Sequence, residues 1–153
     1  DQILWVMGDI IPVSVYCQTR WDERLGSDQD SVFSIEFDNG ISASVTVSSR
    51  TEQIFDVLDV YGTNGRMRSE WPSEIIEIQS SVLPDYHDVK RIVPESPDYM
   101  EMYKLQMKDW INSMLQGNKV PIGTWDALKV YKVIDAAYKS ASEGKTINIT
   151  GLN

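Results

Sequence analysis

Two hydrophobic rhythms run along this chain, and their order is its strongest constraint. Between residues 11 and 93 apolar side chains recur at every second position; between 97 and 143 they recur at every third or fourth. Side chains alternate across a strand and repeat every 3.6 residues around a helix, so a run of strands precedes two helices. Strands followed by helices, rather than alternating with them, predict an α+β fold with one open, mostly antiparallel sheet of about six strands. Both helical stripes then cover one face of the sheet, and the other face stays open.

The strand signals are specific. Ile11, Val13, Val15 and Cys17 alternate with Pro12, Ser14, Tyr16 and Gln18, and Phe33, Ile35 and Phe37 repeat the pattern after a polar loop at 25–30. Asp38-Asn39-Gly40 then marks a hairpin, because Asn-Gly tolerates positive φ at both turn positions. The returning strand puts Ile41, Ala43, Val45 and Val47 on one face and Ser42, Ser44, Thr46 and Ser48 on the other. A second hairpin reads 57–61, Gly62-Thr63-Asn64-Gly65, then 66–71. Ile75, Ile76 and Ile78 form a further strand, and residues 83–94 are mostly loop with a short strand at 89–93.

The first helix opens at Ser96-Pro97-Asp98, with Ser as N-cap and Pro at the first helical position. Its stripe is Met100, Tyr103, Met107, Trp110, Ile111 and Met114, and Gly117 ends it. The second opens near Thr124, carries Leu128, Tyr131, Ile134, Tyr138 and Ala141, and closes at Gly144; residues 146–150 follow as a last strand or tail. Trp110, Tyr131 and Tyr138 are expected in the core. At the other end, Ile3, Leu4 and Met7 have helical spacing and Gly8 closes the turn, but a helix this short is marginal alone. Residues 1–8 are therefore expected to be the remnant of a longer helix, and 1–153 a single domain cut from a larger protein.

Composition excludes several function classes. The 153 residues carry 23 acidic against 14 basic side chains, a net charge of −9, a field that repels a phosphate backbone. Apolar runs fall far short of the ~20 residues that span a bilayer, so neither nucleic acid nor membrane is an expected partner. Cys17 and His87 are each the sole residue of their type, which leaves no disulfide, no cysteine-based zinc site and no site needing two histidines. Cys17 alternates onto an apolar face as a structural thiol. Gly62 and Gly65 join two strands, whereas a pyrophosphate needs a helix N-terminus beside the glycines, so this chain is expected to bind no dinucleotide itself. Asp56 and Asp59 are odd-spaced and fall on opposite strand faces. No charged leader or cleavage signal opens the chain, Asn148-Ile149-Thr150 reads as a chance glycosylation match, and a cytoplasmic protein is expected.

No catalytic constellation stands out, but a few polar and aromatic positions do. Arg50, Thr51 and Gln53 join the cleanest strand to the next, where ligand contacts or an ordinary loop are both open readings. His87, between Tyr86 and Asp88, is either solvated surface or a ligand contact. Trp21 ends a strand and could serve either way. A Ser/Thr face without Lys or Glu lets two sheets approach, so a face-to-face homo-oligomer is also expected.

Several segments resemble, in order, the C-terminal domain of the Gfo/Idh/MocA (glucose–fructose oxidoreductase / inositol dehydrogenase) family. Asp1-x-x-x-Trp5-x-x-Gly8 is similar to its helix motif His-x-x-Asp-x-x-x-(aromatic)-x-x-Gly. Phe37-Asp38-Asn39-Gly40 resembles its F-x-N-G hairpin and Val60-Tyr61-Gly62-Thr63-Asn64-Gly65 its I-Y-G-T-x-G turn. Trp125-Asp126-Ala127-Leu128 and Ala136-Ala137-Tyr138-x-Ser140-x-x-x-Gly144 resemble its final helix. The resemblance implies a parent oxidoreductase that binds NAD or NADP through a preceding Rossmann domain and acts on a sugar, polyol or inositol-like carbinol. The family's catalytic Lys and Asp-x-x-x-His pair would lie upstream; aligning Asp1 places that His about three residues before it. This chain would supply substrate contacts, from Arg50, Thr51 and Gln53 with His87 and Trp21 as weaker candidates, and the open face would serve oligomerisation. Without the resemblance, a free-standing ligand-binding or scaffold module fits the same pattern, and a related dehydrogenase acting on a non-sugar is a third reading.

Overall fold

The computed structural model describes residues 1–73, 75–93 and 99–152. In chain order its elements are α1 (Gln2–Met7), β1 (Pro12–Asp22), β2 (Ser27–Phe37), β3 (Ser42–Ser48), β4 (Asp56–Gly62), β5 (Gly65–Trp71), β6 (Ile75–Ser80), a 3-10 turn (Pro84–Tyr86), β7 (Lys90–Ile92), α2 (Tyr99–Leu115), α3 (Thr124–Glu143) and β8 (Ile147–Asn148). The expected α+β class and antiparallel pairing hold throughout. The strands form two four-stranded sheets, ordered β3-β2-β1-β8 and β4-β5-β6-β7, where one sheet was expected. Alternation fixes which face of a strand is buried but not which edge it pairs with, and residues 49–55 break the ladder between β3 and β4. The chain divides into two compact units, 1–51 with 119–153, and 52–118.

In the first unit α3 lies along β1. Val15, Cys17, Ile35 and Phe37 project from the sheet, Leu4 from α1, and Val133, Ala136 and Ala137 from α3 into one buried cluster, with Ala43 and Val45 of β3 at its margin. The hairpin between β2 and β3 turns as expected: Gly40 has φ 82° and Ile41 N–H donates to Asn39 Oδ1 at 3.1 Å. The segment expected as a loop at 25–30 is largely strand. β1 and β2 pair out to Asp22↔Ser27, and the register shift between Arg20 and Trp21 leaves Gln29 as the extra residue of a bulge.

The buried stripe of α3 differs from the one read in the sequence. Lys129, Val133, Ala136, Ala137 and Ser140 are buried, whereas Tyr131 is 73% and Tyr138 47% exposed. The helix approaches β1 closely, and small side chains permit that approach where tyrosines would hold it off. Ser140 shows how close it is. The Cys17 N–H donates to Ser140 Oγ at 2.9 Å, and the same hydroxyl donates to the Lys145 carbonyl at 2.6 Å. The expected stripe of α2 is likewise not core: Tyr103, Met107, Trp110, Ile111 and Met114 are all exposed, Trp110 by 41%. The start expected for that helix at Ser96-Pro97-Asp98 lies outside the described residues.

The second unit is a meander. Leu58, Val60, Met67, Ile76, Ile78 and Ile92 share one sheet face by register, and the row Asp59–Arg68–Glu77–Arg91 crosses the other. Alternating charge along that row makes ion pairs of Arg68 with Asp59 at 3.0 Å and of Arg91 with Glu77 at 2.9 Å. Gly65 has to be glycine, since a Cβ there would overlap the Gln79 carbonyl.

The Ser140 bridge yields a stability prediction. Ser140→Ala leaves a buried N–H and a carbonyl without their partner, which costs about 1–3 kcal/mol. A thermal melt should show a clear drop for S140A. Ser142→Ala, on the exposed side of the same helix turn, should melt within about 0.5 kcal/mol of the parent.

Candidate functional site

The first unit's sheet carries a polar cluster at the end opposite the Asn-Gly turn. Strand alternation and the bulge decide who meets whom there. Trp21 stands opposite Asp28, and Arg20 opposite Asp30, which in turn stands opposite Ser48. On the face that α3 covers, Tyr138 Oη donates to Asp28 Oδ1 at 2.9 Å and Ser31 Oγ donates to Asp28 Oδ2 at 3.0 Å. The Thr19 hydroxyl lies 2.7 Å from that of Ser31. On the opposite face, Ser48 Oγ donates to Asp30 Oδ1 at 2.7 Å, the Arg50 N–H donates to Ser48 Oγ at 3.2 Å, and the Arg50 guanidinium stands 3.7 Å from Asp30 Oδ2.

The electrostatics follow from these contacts. The phenol of Tyr138 holds the Asp28 carboxyl below the usual carboxylate range, and Ser31 adds to the effect. The bond to Asp28 in turn raises the phenol above its ordinary value. Burial, with the Asp28 charge nearby, pushes the Cys17 thiol up, which keeps it protonated and unreactive as the structural reading requires. Among the described residues no three His, Cys, Asp or Glu side chains gather to hold a metal ion.

The structure brings some expected site residues together and separates others. Trp21 and Arg50 share the end of one sheet, with Trp21 53% exposed, and Thr51 closes the same unit. Gln53 and His87 belong to the second unit. There His87 is exposed, follows the 3-10 turn, and accepts through its carbonyl a bond from Gln79 Nε2 at 3.2 Å. The sequence pattern does not reveal Asp28, Asp30 and Tyr138: the first two read as loop and the third as core. The signal was the run Ser27-Asp28-Gln29-Asp30-Ser31, polar at every position yet directly continuous with a strand.

Residues 1–149 match the profile described as the oxidoreductase family, C-terminal alpha/beta domain, of the Gfo/Idh/MocA group. The chain belongs to this family. A D-xylose 1-dehydrogenase (NADP(+)) of Haloferax volcanii is 24% identical over 138 residues, which is 90% of this chain and 42% of the relative. An NAD binding oxidoreductase from Klebsiella pneumoniae superposes with a TM-score of 0.85 at 14% identity, over 97% of this chain and 47% of that one. Levoglucosan dehydrogenase in complex with NADH and levoglucosan superposes at 0.80 and 14% identity, over 92% of this chain and 46% of that one. The chain thus spans less than half the length of the proteins it matches.

The Asp28–Tyr138 pair ties α3 to β2, and its pH dependence has a definite sign. A carboxyl whose pKa is lowered by folding adds stability above its unfolded pKa and loses it as pH falls through the folded value. The advantage of the parent over Tyr138→Phe should therefore be full at neutral pH and shrink as pH drops below 3.8, the ordinary value. Melting curves of the two proteins from neutral to strongly acid pH check this. A constant gap across the range would contradict it.

Proposed function

We propose that this chain is a single domain, the substrate-binding and oligomerisation domain of a cytoplasmic NAD(P)-dependent oxidoreductase whose intact form acts on a sugar, polyol or inositol-like carbinol, and that the chain alone is inactive. The observation that carries the reading is the family match over residues 1–149. The xylose and levoglucosan dehydrogenases among its relatives favour the sugar class. The parent's reaction is hydride transfer between a carbinol carbon and nicotinamide.

The Gly62–Gly65 turn does not fit a dinucleotide. Gly62 and Gly65 close a strand-to-strand turn with no helix N-terminus behind it, so nothing there presents a row of N–H groups to a pyrophosphate. In this reading the cofactor site and the family's catalytic Lys and Asp-x-x-x-His pair belong to sequence preceding Asp1. The catalytic His stands about three residues upstream on the same helix as α1. This chain's part is to bind and orient the polyol: on the face away from α3, Arg50 and Asp30 offer a donor and acceptor pair for hydroxyls, while Trp21, on the α3 side of the same sheet end, is a separate candidate. Thr51 follows Arg50 in the first unit as a further candidate contact, and Gln53 and His87 stand as separate candidates on the second unit. The exposed face of the first sheet, Ser42, Ser44, Thr46 and Ser48 beside Ser34 and Tyr16, serves as the oligomer surface. Small hydroxylated side chains let two such faces meet at close range and still hydrogen-bond.

The intact protein should reduce NAD or NADP in the presence of an aldose, polyol or inositol, read as nicotinamide absorbance. No turnover with any sugar, polyol or inositol would overturn the reading. Arg50→Ala should raise KM for the substrate about tenfold, the value of one lost charge-assisted hydrogen bond, with kcat nearly unchanged. For the interface, Ser44→Arg and Thr46→Glu should shift the sedimentation of the intact protein to the smaller species. A parent that sediments as a monomer at high micromolar concentration would rule out the oligomer.

A further inference from the structure

We infer that Lys129 is a positioning residue, a clasp that sets the direction of α1 and through it the placement of the catalytic residue that the helix carries. The inference rests on the reading above that α1 is the tail of the helix bearing the family's catalytic His.

Lysine is rarely buried, because taking an ammonium out of water is costly unless it is paired and hydrogen-bonded. Lys129 is only 6% exposed. It lies on the face of α3 that the small-residue stripe occupies, where an apolar side chain would pack without that cost. Its environment meets the ammonium's needs from two directions. Lys129 Nζ donates to the Gly8 carbonyl at 2.9 Å, the residue that ends α1 with φ 62°. The Asp126 carboxylate stands 3.8 Å away. Asp126 is itself fixed by accepting the Gly123 N–H at 2.9 Å, and that bond lowers its pKa, so it remains an anion. The result is one chain of charge-assisted contacts from the N-terminus of α3 to the C-terminus of α1, spanning 121 residues of sequence.

The rest of α1 has little else to aim it. Leu4 is its sole buried residue, with Ile3 and Met7 at the core's margin and Trp5 exposed. Apolar contacts are non-directional and leave a short helix free to tilt on them. A directional anchor at its far end removes that freedom. From Gly8 to a residue three before Asp1 is about 15 Å of helix at 1.5 Å per residue. A tilt of about 4° at the clasp then moves that residue by about 1 Å, a displacement that can cost up to ~10²-fold in rate.

The test uses the intact protein. Lys129→Met removes charge and donor at similar length, and Lys129→Arg keeps both. Lys132→Met is the control, since Lys132 Nζ makes the same kind of bond to a carbonyl, that of Thr150 at 3.0 Å, without touching α1. Hydrogen exchange is followed at the amides of Trp5, Gly8 and Ile10, which bond within the α1 turn, and sugar oxidation gives kcat and KM. K129M should speed that exchange about tenfold and lower kcat about tenfold with KM within about twofold. K129R should restore both, and K132M should change neither. If K129M does not fold, Lys129→Gln, which keeps an N–H donor, should show the same changes at reduced size. Unchanged exchange in K129M, faster exchange with kcat intact, or equal effects from K132M would each overturn the inference. An unmodified protein that oxidises no sugar would instead overturn the function reading, and the exchange measurements would still decide the clasp.

Discussion

The contact between α3 and β1 is the constraint on which the first unit depends. A helix can lie on a sheet at short range only where its facing side chains are small, and Ala136, Ala137 and Ser140 provide that face. Close approach brings backbone polar groups of β1 within reach of the helix. β8 pairs with β1 only at Ser14 and Val15, and past that short edge the Cys17 N–H donates to Ser140 Oγ instead. Without that hydroxyl the same geometry would trap an unpaired donor, whose cost rivals a whole buried methylene. Packing and polar satisfaction are thus met by one residue type at one position.

That contact also organises the polar features. Because Ala136, Ala137 and Ser140 face the sheet, Tyr138 is turned toward the sheet margin, where its phenol reaches Asp28. About two turns before Ala136, the same stripe carries Lys129, whose ammonium reaches the end of α1. The bulge at Arg20 and Trp21 adds the twist that places Trp21 against Asp28 and leaves Asp30 facing the other way, toward Ser48 and Arg50. The polar end of the unit is therefore a consequence of strand register and helix phase together.

Much of this was legible in advance. Both Asn-Gly and Gly-Thr-Asn-Gly turns, the alternation of Ser42 to Ser48, the burial of Cys17 and the helix from Thr124 to Gly144 follow from local patterns that few alternatives satisfy. The phase of α3 was not legible. Tyr131 and Tyr138 have the hydrophobic spacing of a core stripe, and only the short distance to β1 makes the alanine and serine face the better fit. Asp28 and Asp30 were hidden because polar strands carry no hydrophobic alternation, so their pairing with Trp21 and Ser48 is visible only in the ladder.

The sequence by itself determined the class of fold, the order of elements and the family, because these rest on periodicity and turn residues that act within a few positions. Tertiary structure alone decided the division into two sheets, the buried face of α3, and the partners of Lys129, Asp28 and Arg50. The reason is one of range. A strand's alternation names its buried face but leaves its neighbour open, and the carbonyl that Lys129 reaches lies 121 residues away, while its local partner Asp126 is the ordinary i,i+3 neighbour of an exposed helix face.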